Sequence, residues 1–377
     1  MNNTAQHQGI YLGLMSGTSA DGLDIAICDI QAINKVSLIN SYYSPYPDKL
    51  RQRVIEAQIS LQPAPEELQE LDMQLADFVS EHIEEAIRQN SLCRESIIAI
   101  ANHGQTIQHC PNAVEPYSLQ LGNAQLIANQ TGLKVIADFR RADIENGGQG
   151  APLMPAFHQH AFSHRAPCNI VNIGGIANIT ALEKSPENTI GYDTGPGNTL
   201  MNYWISKHQG LSYDNNGNWA RTGKQHTELL HDFLADPFFS LPQPKSTGQD
   251  YFNPEWLHSI TRHYPDCTAE DVQYTLTLLT ATTIGDELQR QKRDKHPVYL
   301  CGGGVHNTLL TEMLGVRLPN TMIETTQAVG IDPDWVEAMG FAWLGFCRLN
   351  KLPGNMPMVT GSRETVVLGD VLSPTTV

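Results

Sequence analysis

The chain has 377 residues, of which 41% are hydrophobic and 17% are charged, so it is long enough for two domains with substantial cores. Its formal net charge of −16 and the absence of any run rich in lysine or arginine argue against nucleic acid or an anionic membrane as a partner. The seven cysteines are scattered and form no C-x-x-C, the N-terminal residues are polar, and no apolar run approaches membrane-spanning length. We therefore predict a cytoplasmic globular protein.

The first predicted elements are two strands joined by a turn without bulky side chains. Residues 10–12 and 23–29 predict the strands, and Gly17–Gly22 predicts the turn. The glycines permit positive φ and close approach of a ligand, and successive backbone N–H groups can surround a phosphate. Asp21 adds an oxygen for a Mg²⁺ ion carried by that phosphate. An ordinary hairpin with a roomy turn is the alternative at this point.

Helices and strands then alternate, and polar residues follow the strands, where α/β sheets bind their ligands. The pattern predicts an α/β architecture. The predicted elements are strands over 36–43, 97–101 and 134–138, an amphipathic helix over 64–89, and a helix over 119–132 that ends at Gly132.

The pattern of strand, glycine turn and strand recurs in the second half. The segment Gly147–Pro155, rich in glycine and proline, predicts a boundary or hinge. Beyond it the strand 168–173 enters Gly174-Gly175, and further glycine turns follow strands at 190–192 and 298–301. Two facing hairpin turns would hold the phosphates of one nucleotide from both sides. Helices are predicted from near residue 199, over 268–291 and over 334–348, and 215–250 is predicted to be an elaboration rather than a domain.

The commoner nucleotide-binding and catalytic motifs do not occur. The sequence has no G-x-x-x-x-G-K-[ST], no G-x-G-x-x-G that opens a helix, no G-x-S-x-G and no H-E-x-x-H. His103, His109, His158 and His160 could suggest a metal, but no cysteine or carboxylate spacing completes a zinc site. Structural histidines are the preferred interpretation.

Short motifs spread from residue 13 to residue 361 carry a family resemblance. They are MSGTSADGLD at 15–24, HGQT at 103–106, DFRRAD at 138–143, GGQGAP at 147–152, NIGGIAN at 172–178, DTGPGN at 193–198, PKSTG at 244–248, CGGG at 301–304, Glu337-Ala338 and Thr360-Gly361. With these motifs the chain resembles the anhydro-N-acetylmuramic acid kinases, within the sugar kinase/heat-shock 70/actin ATPase superfamily. It departs from the family pattern at Ala20, where a larger apolar residue is usual, and at Gln249, where arginine is expected.

The resemblance implies a fold class, which is α/β, with a two-lobed actin-like ATPase (ribonuclease H-like) fold and a central cleft between the lobes. The first lobe would comprise residues 1–145 with 335–377 and carry the first phosphate hairpin and the C-terminal helix. The second, residues 146–334, would carry the second hairpin, a catalytic aspartate and the glycine loop beside the adenosine. The resemblance also implies a homodimer.

The implied reaction converts 1,6-anhydro-N-acetylmuramic acid to N-acetylmuramic acid 6-phosphate with ATP, Mg²⁺ and water, in the recycling of cell-wall sugars. Water must attack the anomeric carbon while O6 leaves, so a carboxylate should take the water proton. Asp193 matches the family's general base, and a turn residue before Gly-Pro-Gly is its alternative. Glu337 would assist the water or bind the sugar, or else only favour the dipole of its helix.

The remaining site residues also follow from the resemblance. The sugar would be bound by His103, Gln105, Asp138, Arg141 and Gln149, with Arg141 suited to the lactyl carboxylate unless it pairs with acids of its own motif. Asp21 would order Mg²⁺. The implied ATP-binding residues are Gly17, Thr18, Ser19, Ala20, Asp21, Gly22, Leu23 and Asp24 in the first hairpin, Asn172, Gly174, Gly175, Gly195, Gly197 and Asn198 in the second half, and Gly302, Gly303 and Asn307 beside the adenosine.

Three other functions are compatible with parts of this pattern. Another sugar or acyl kinase of the superfamily would use a substrate hydroxyl as nucleophile and need no water. A sugar-sensing regulator would need a helix-turn-helix, for which the first strand, near residue 10, leaves no room. A glycosidase with Asp193 and Glu337 as its carboxylate pair would leave the repeated phosphate turns unexplained.

Overall fold

The computed structural model describes residues 7–60, 63–111 and 113–375, which form two compact units, Met1–His164 with Trp335–Val377 and Arg165–Asp334. The strands are β1 Gly9–Ser16, β2 Gly22–Ala32, β3 Lys35–Pro45, β4 Ile97–Cys110, β5 Tyr117–Leu121, β6 Val135–Ala137, β7 Cys168–Ile173, β8 Ile176–Leu182, β9 Ile190–Pro196, β10 Val298–Cys301, β11 Ile323–Thr325 and β12 Asp370–Leu372. The helices are α1 Asp48–Ile59, α2 Pro65–Gln89, α3 Ala124–Thr131, α4 Arg141–Glu145, α5 Met154–Ala161, α6 Thr199–Gln209, α7 Thr227–Leu234, α8 Pro254–Thr261, α9 Ala269–Arg290, α10 Thr308–Arg317, α11 Val336–Leu349 and α12 Pro357–Thr360. Within the described residues, none of the helices combines the length and the apolar sequence that a membrane span requires.

The two units contain sheets with the same strand order. The first sheet runs β3-β2-β1-β4-β6-β12, with β5 added beside β4, and the second runs β9-β8-β7-β10-β11. In the first unit β1 is antiparallel to β2 and parallel to β4. In the second unit β7 is antiparallel to β8 and parallel to β10. This repetition is the duplicated ribonuclease H-like arrangement, so the predicted α/β fold class is confirmed. The hairpins β1–β2 and β7–β8, with their glycine turns, occupy equivalent places in the two sheets.

Strand β1 is enclosed by helices on both faces. Leu12 and Leu14 are fully buried in the cluster that contains the apolar stripe of α2. On the opposite face, Gly13 lies so close to α11 that a Cβ atom would be 2.0 Å from the Ala338 carbonyl oxygen. The start of α11, which carries Glu337, is therefore fixed against the strand that leads into the first glycine turn.

The second unit is built around α9 and an aromatic cluster. The polar stretch 215–250 supplies Phe233, Phe238 and Phe239 to the same core as Leu276 and Leu279 of α9. The stretch is thus part of the core of this unit, which agrees with the expectation that it is no separate domain.

The predicted helix over 119–132 is wrong in its first part. Residues 117–121 form β5, which pairs with β4, and the helix begins only at Ala124. Gly122 at φ 112° turns the chain, and the Asn123 side chain caps the helix by accepting from the Leu126 N–H. The Gly132 cap is confirmed, at φ 67°. Pairing with β1 and β5 also extends β4 to Cys110, well beyond the predicted residue 101.

The segment Gly147–Pro155 is bound within the first unit. The Gly150 N–H donates to Asp143 Oδ2 at 2.8 Å, and the Gln149 N–H donates to the Thr360 carbonyl at 2.8 Å. Asp143 is fully buried and also accepts from the Thr360 hydroxyl at 2.7 Å. Because these bonds hold the segment to the C-terminal part of the same unit, the compact units divide after His164 and not after residue 145.

Candidate active site

A buried glutamine supports the first glycine turn. The turn closes through a hydrogen bond from the Ala20 N–H to the Gly17 carbonyl at 3.1 Å, with Ala20 buried at φ 53°. Gln105 donates through Nε2 to the same carbonyl at 3.1 Å and accepts from the Ser16 hydroxyl at 2.7 Å. Gln105, predicted to bind the sugar, therefore uses its amide nitrogen and its amide oxygen to support the first glycine turn.

The predicted phosphate-binding residues of this hairpin divide into turn and strand positions. Thr18 and Asp21 are exposed, whereas Leu23 is buried and Asp24 lies within β2 opposite Met15. Gly22 lies against β3, and Ser19 is half-buried at the tip of the turn. Gly17, Thr18, Ser19 and Asp21 thus form the part of the turn that is open to solvent, whereas Ala20 is buried.

The Asp21 carboxylate suits a metal ion that arrives with a nucleotide. Its side chain is 56% exposed and pairs with Arg51 at 3.1 Å. Mg²⁺ usually takes one or two carboxylates, several waters and phosphate oxygens rather than a cage made only of protein. In the described part of the chain no group of three or more His, Cys, Asp or Glu side chains could hold a metal ion. The donor set therefore fits an ion held mainly by phosphate and water, with Asp21 beside it.

The second glycine turn is packed against the start of α6. The Gly174 carbonyl accepts from the Asn198 N–H at 2.8 Å, and the Gly175 carbonyl accepts from the Gly197 N–H at 2.9 Å. A Cβ atom on Gly197 would lie 2.3 Å from the Gly174 oxygen, so only glycine allows this approach. The turn is thereby joined to the N-terminal end of α6, whose first N–H groups, including that of Thr199 at 3.2 Å, donate to the turn carbonyls.

Of the other residues predicted to bind the nucleotide, Gly302 lies beside Asn172 at this turn, whereas Gly195 and Asn307 make other contacts. Gly302, at φ 79°, lies so close to Asn172 that a Cβ atom would be 2.2 Å from Asn172 Oδ1, a buried oxygen without a hydrogen-bond partner in the described structure. Gly303 follows it and is exposed. Gly195 packs against the ring of Phe239, and the Asn307 side chain caps α10 by accepting from the Leu310 N–H at 3.1 Å.

Asp193 lies within β9 and has a defined set of donors. Its Oδ2 accepts from the Ser246 hydroxyl at 3.0 Å and from the Thr247 N–H at 2.9 Å. Removal from water raises the pKa of the Asp193 carboxyl from 3.8 to about 6, against the opposing effect of these two donors and of Lys245. A carboxylate with this pKa is ionised at neutral pH and is a better proton acceptor than an ordinary aspartate.

A second charged cluster lies in the first unit around Arg140. One guanidinium nitrogen lies 2.8 Å from His103 Nε2, and another donates to the Gly150 carbonyl at 2.8 Å. Burial lowers the pKa of Arg140 to about 10, against the opposing charge of Glu337. Burial and Arg140 together hold the pKa of His103 well below its usual value, so the imidazole is neutral and its Nε2 accepts the bond. Arg140 thus links the predicted residues His103 and Glu337.

Arg141, by contrast, is occupied by ion pairs at the surface. It pairs with Asp138, with Asp370 and, at 3.4 Å, with Glu145. Asp138 and Arg141 line a groove of about 520 Å³ together with His103. The pair of Arg141 with Asp138 lies within the DFRRAD motif. This pairing was the alternative to a sugar-binding role.

Comparison with known proteins decides the family. A family model described as anhydro-N-acetylmuramic acid kinase matches residues 9–374. The chain belongs to this family. Anhydro-N-acetylmuramic acid kinases from Pasteurella multocida and Haemophilus influenzae are 46% and 44% identical to it, over 96% of this chain and 96% and 97% of theirs. The resemblance drawn from the motifs is therefore confirmed, and the chain is a kinase.

Solved structures with a similar fold are much more distant. Component A of the (R)-2-hydroxyglutaryl-CoA dehydratase from Acidaminococcus fermentans is 11% identical, covers 91% of this chain and 99% of its own, and has a TM-score of 0.49.

Within the anhydro-N-acetylmuramic acid kinase pattern, the departure at Gln249 lies on the second glycine turn. A Cβ atom on Gly175 would lie 2.7 Å from Gln249 Nε2 and 2.8 Å from the Thr199 hydroxyl. An uncharged amide therefore contacts the turn at the position where the resemblance predicts arginine. This chain has no formal charge at that point of the site.

The sequence gives no signal for the contacts of two groups of residues near the candidate site. The sequence does not distinguish Arg140 from its neighbour Arg141, because nothing in the pair Arg-Arg shows which side chain turns inward. Ser246 and Thr247 stood in a recognised motif, PKSTG, but their contact with Asp193 joins positions more than fifty residues apart. The anhydro-N-acetylmuramic acid kinase motifs thus mark Asp193 and PKSTG separately, and only the structure shows that the two motifs are in contact.

Proposed function

We propose that this chain uses ATP and water to open 1,6-anhydro-N-acetylmuramic acid and to phosphorylate O6, giving N-acetylmuramic acid 6-phosphate in the recycling of cell-wall sugars. Family membership supports the reaction class. The observation that carries the proposal is Asp193, a carboxylate held by two donors at Oδ2 with its pKa raised to about 6. Opening an anhydro bridge requires a base for water, and Asp193 can supply it. Because a kinase that phosphorylates a hydroxyl can also use a carboxylate base, family membership selects the anhydro sugar.

The proposed bond changes balance without a further reactant. A water oxygen forms a bond to the anomeric carbon and gives its proton to Asp193, while the bond from that carbon to O6 breaks. O6 takes the γ-phosphoryl group, and ADP leaves. Phosphoryl transfer needs positioning and charge neutralisation more than covalent chemistry, and Mg²⁺ bound to ATP supplies part of that neutralisation. The chain contributes the backbone N–H groups of its two glycine turns and the side chain of Asp21.

We assign the lactyl carboxylate of the sugar to Arg140 rather than to Arg141. Arg140 is partly exposed, remains protonated at neutral pH with a pKa of about 10, and contacts His103. Arg141 already pairs with several carboxylates. Lost charge-assisted hydrogen bonds typically cost one to two orders of magnitude in affinity.

Arg140→Met is therefore expected to lower kcat/KM for the anhydro sugar by about 100-fold and to leave the KM for ATP unchanged. Arg141→Met, the matched change at the adjacent residue, is expected to alter kcat/KM by less than about 3-fold. Steady-state kinetics with each substrate varied in turn provides the measurement. A larger loss in the Arg141 variant than in the Arg140 variant would reverse the assignment.

We also propose that Asp21 contacts Mg²⁺ through water. Asp21→Asn is expected to raise the Mg²⁺ concentration needed for half-maximal activity by about 10-fold, with the KM for the sugar unchanged. Arg51→Met, which removes the ion-pair partner of Asp21, serves as the control and should not raise that requirement. If the Asp21 variant responds to Mg²⁺ like the unmodified enzyme, Asp21 has no part in metal binding.

The proposed setting is the cytoplasm, with the protein as a homodimer. The seven cysteines, all within the described residues, are free thiols, which fits a reducing compartment that also supplies ATP. Light scattering coupled to size-exclusion chromatography tests the dimer, and a mass of one chain, 41.6 kDa, would contradict it.

A substrate panel separates this function from its alternatives. ADP release should require ATP and 1,6-anhydro-N-acetylmuramic acid together, and the product should have the mass of N-acetylmuramic acid phosphate. ADP release with N-acetylglucosamine or acetate but not with the anhydro sugar would indicate another sugar or acyl kinase. Opening of the bridge without ATP would indicate a glycosidase, and binding without turnover would indicate a regulator.

A further inference from the structure

Three consecutive residues surround one side of Asp193. The Asp193 N–H donates to the Lys245 carbonyl at 3.0 Å, and Asp193 Oδ2 accepts from the Ser246 hydroxyl and the Thr247 N–H. Both side-chain hydrogen bonds go to Oδ2, which leaves Oδ1 to accept a proton from water. The position of segment 245–247 therefore decides how the carboxylate is turned.

The same segment is fastened to α9 by a buried ion pair. Lys245 Nζ lies 2.6 Å from Glu287 Oε1, and both side chains are 2% exposed. Lys245 also lies 4.7 Å from the centre of the Phe238 ring and donates to the Phe238 carbonyl at 3.3 Å. These contacts enclose the ammonium group completely and leave it little freedom to move.

Glu287 is held from further directions. It pairs with Arg290, one turn later on α9, at 3.2 Å, and its Oε2 accepts from Gln243 Nε2 at 2.9 Å. Gln243 lies two residues before Lys245, so Glu287 contacts the segment at two points. Of the ionisable groups on the elements packed around Asp193, Lys245 acts on the Asp193 carboxyl itself, and Glu287, Arg290 and Arg293 act on the adjacent Tyr192.

A buried ion pair is a poor source of stability, because the cost of taking two charges out of water offsets their attraction. Apolar side chains of similar volume often stabilise a fold equally well, whereas paired charges can specify one conformation. The pair in this chain connects a rigid helix to the segment that donates to the catalytic base. The geometry of the pair therefore suits holding segment 245–247 in place better than stabilising the fold.

We propose that Lys245 and Glu287 are positioning residues, which fix segment 245–247 so that Ser246 and Thr247 hold Asp193 with one oxygen directed to the water. The inference rests on the proposed role of Asp193 as general base. Lys245 and Glu287 act through the segment and do not touch the substrate.

The first test removes both charges and keeps the volume, as Lys245→Met with Glu287→Met. The double variant is expected to unfold within a few degrees of the unmodified protein and to keep both KM values. Its maximal kcat should fall by about 10-fold, and the acid limb of its pH profile should move up by about one unit because Asp193 loses aligned donors and a nearby positive charge. An unchanged kcat and acid limb in the folded double variant would overturn the proposal.

A single, isosteric change covers the case in which the double variant does not fold. Glu287→Gln keeps the shape of the side chain and removes the ion-pair partner of Lys245. Loss of the Glu287 charge alone would lower the acid limb, so a rise reports that segment 245–247 no longer aligns the Asp193 donors. Glu183→Gln provides the matched control, since Glu183 pairs with the buried Arg293 elsewhere in the same unit. Equal pH profiles in Glu287→Gln and Glu183→Gln would reject the positioning role.

A direct titration of Asp193 separates this inference from the proposed function. Carbon-13 NMR of protein labelled at aspartate carboxyls, with the signal assigned through Asp193→Asn, measures the pKa without turnover. A higher pKa in Glu287→Gln than in the unmodified protein supports the inference even if the anhydro sugar is not the substrate. An equal or lower pKa, as the loss of the Glu287 charge alone would give, contradicts it, whatever the activity.

Discussion

Asp193→Asn is expected to lower kcat by about 100- to 10,000-fold and, at the same time, to stabilise the fold at neutral pH. The loss of turnover follows because an amide cannot take a proton from water. The gain in stability follows because burial raises the carboxyl pKa from 3.8 to about 6, which means that the folded protein holds the ionised form at a cost. Asparagine keeps an oxygen that accepts from Ser246 and Thr247 without that cost.

The stability gain has a defined pH dependence. The folded pKa lies above the unfolded value of 3.8, so the native protein binds more protons between the two values, and ionisation of Asp193 costs stability as pH rises through about 6. The gain in Asp193→Asn should reach about 2 kcal/mol above this range and vanish near pH 4. Urea unfolding of both proteins at the two pH values measures it. A variant that is less stable than the unmodified protein at neutral pH would contradict the burial argument.

The second large effect is expected from Gly197→Ala. A Cβ atom at this position would lie 2.3 Å from the Gly174 carbonyl oxygen, so the second glycine turn must move away from the start of α6. We expect the affinity for ATP to fall by at least about 10-fold and the free energy of unfolding by about 2 kcal/mol. Calorimetric titration with ATP and urea unfolding provide the two measurements.

Gly210→Ala is the matched control at the other end of the same helix. Gly210 caps α6 at φ 68° and has no atom within 4 Å of a built Cβ atom. Alanine there should cost about 1 kcal/mol through backbone strain alone and leave ATP binding unchanged. If the two variants lose ATP affinity equally, the loss reflects general destabilisation and the turn is not the phosphate site.

Local sequence patterns predicted the regular elements well where one physical signal dominated. The amphipathic stripe of α2 gave its bounds to within a residue, and the glycine turns placed both hairpins. The helix predicted over 119–132 failed because apolar spacing there fits a strand as well as a helix, and pairing of β5 with β4 decides between them. Such pairing depends on distant residues and is not visible in a short window.

For the candidate site, too, the sequence shows residues whose own identity carries a signal but does not show contacts between distant segments. Turn residues such as Gly197 and Gly302 carry their signal in their own identity, because close approach requires glycine. The donors of Asp193 and the inward arginine at position 140 are defined by contacts between distant segments. Gln105 shows the same limit, since its hydrogen bonds to Gly17 and Ser16 could not be foreseen from its motif, while its predicted role in sugar binding stays a prediction.

The central claim is that water, activated by Asp193, opens the anhydro bridge as O6 is phosphorylated. Incubation with ATP, Mg²⁺ and 1,6-anhydro-N-acetylmuramic acid in ¹⁸O-labelled water, followed by mass spectrometry of the product, tests it most directly. We expect one ¹⁸O atom at the anomeric hydroxyl of N-acetylmuramic acid 6-phosphate and none in its phosphate, with one ADP for each sugar. Release of ADP with the bridge intact, or with the label in inorganic phosphate, would contradict it.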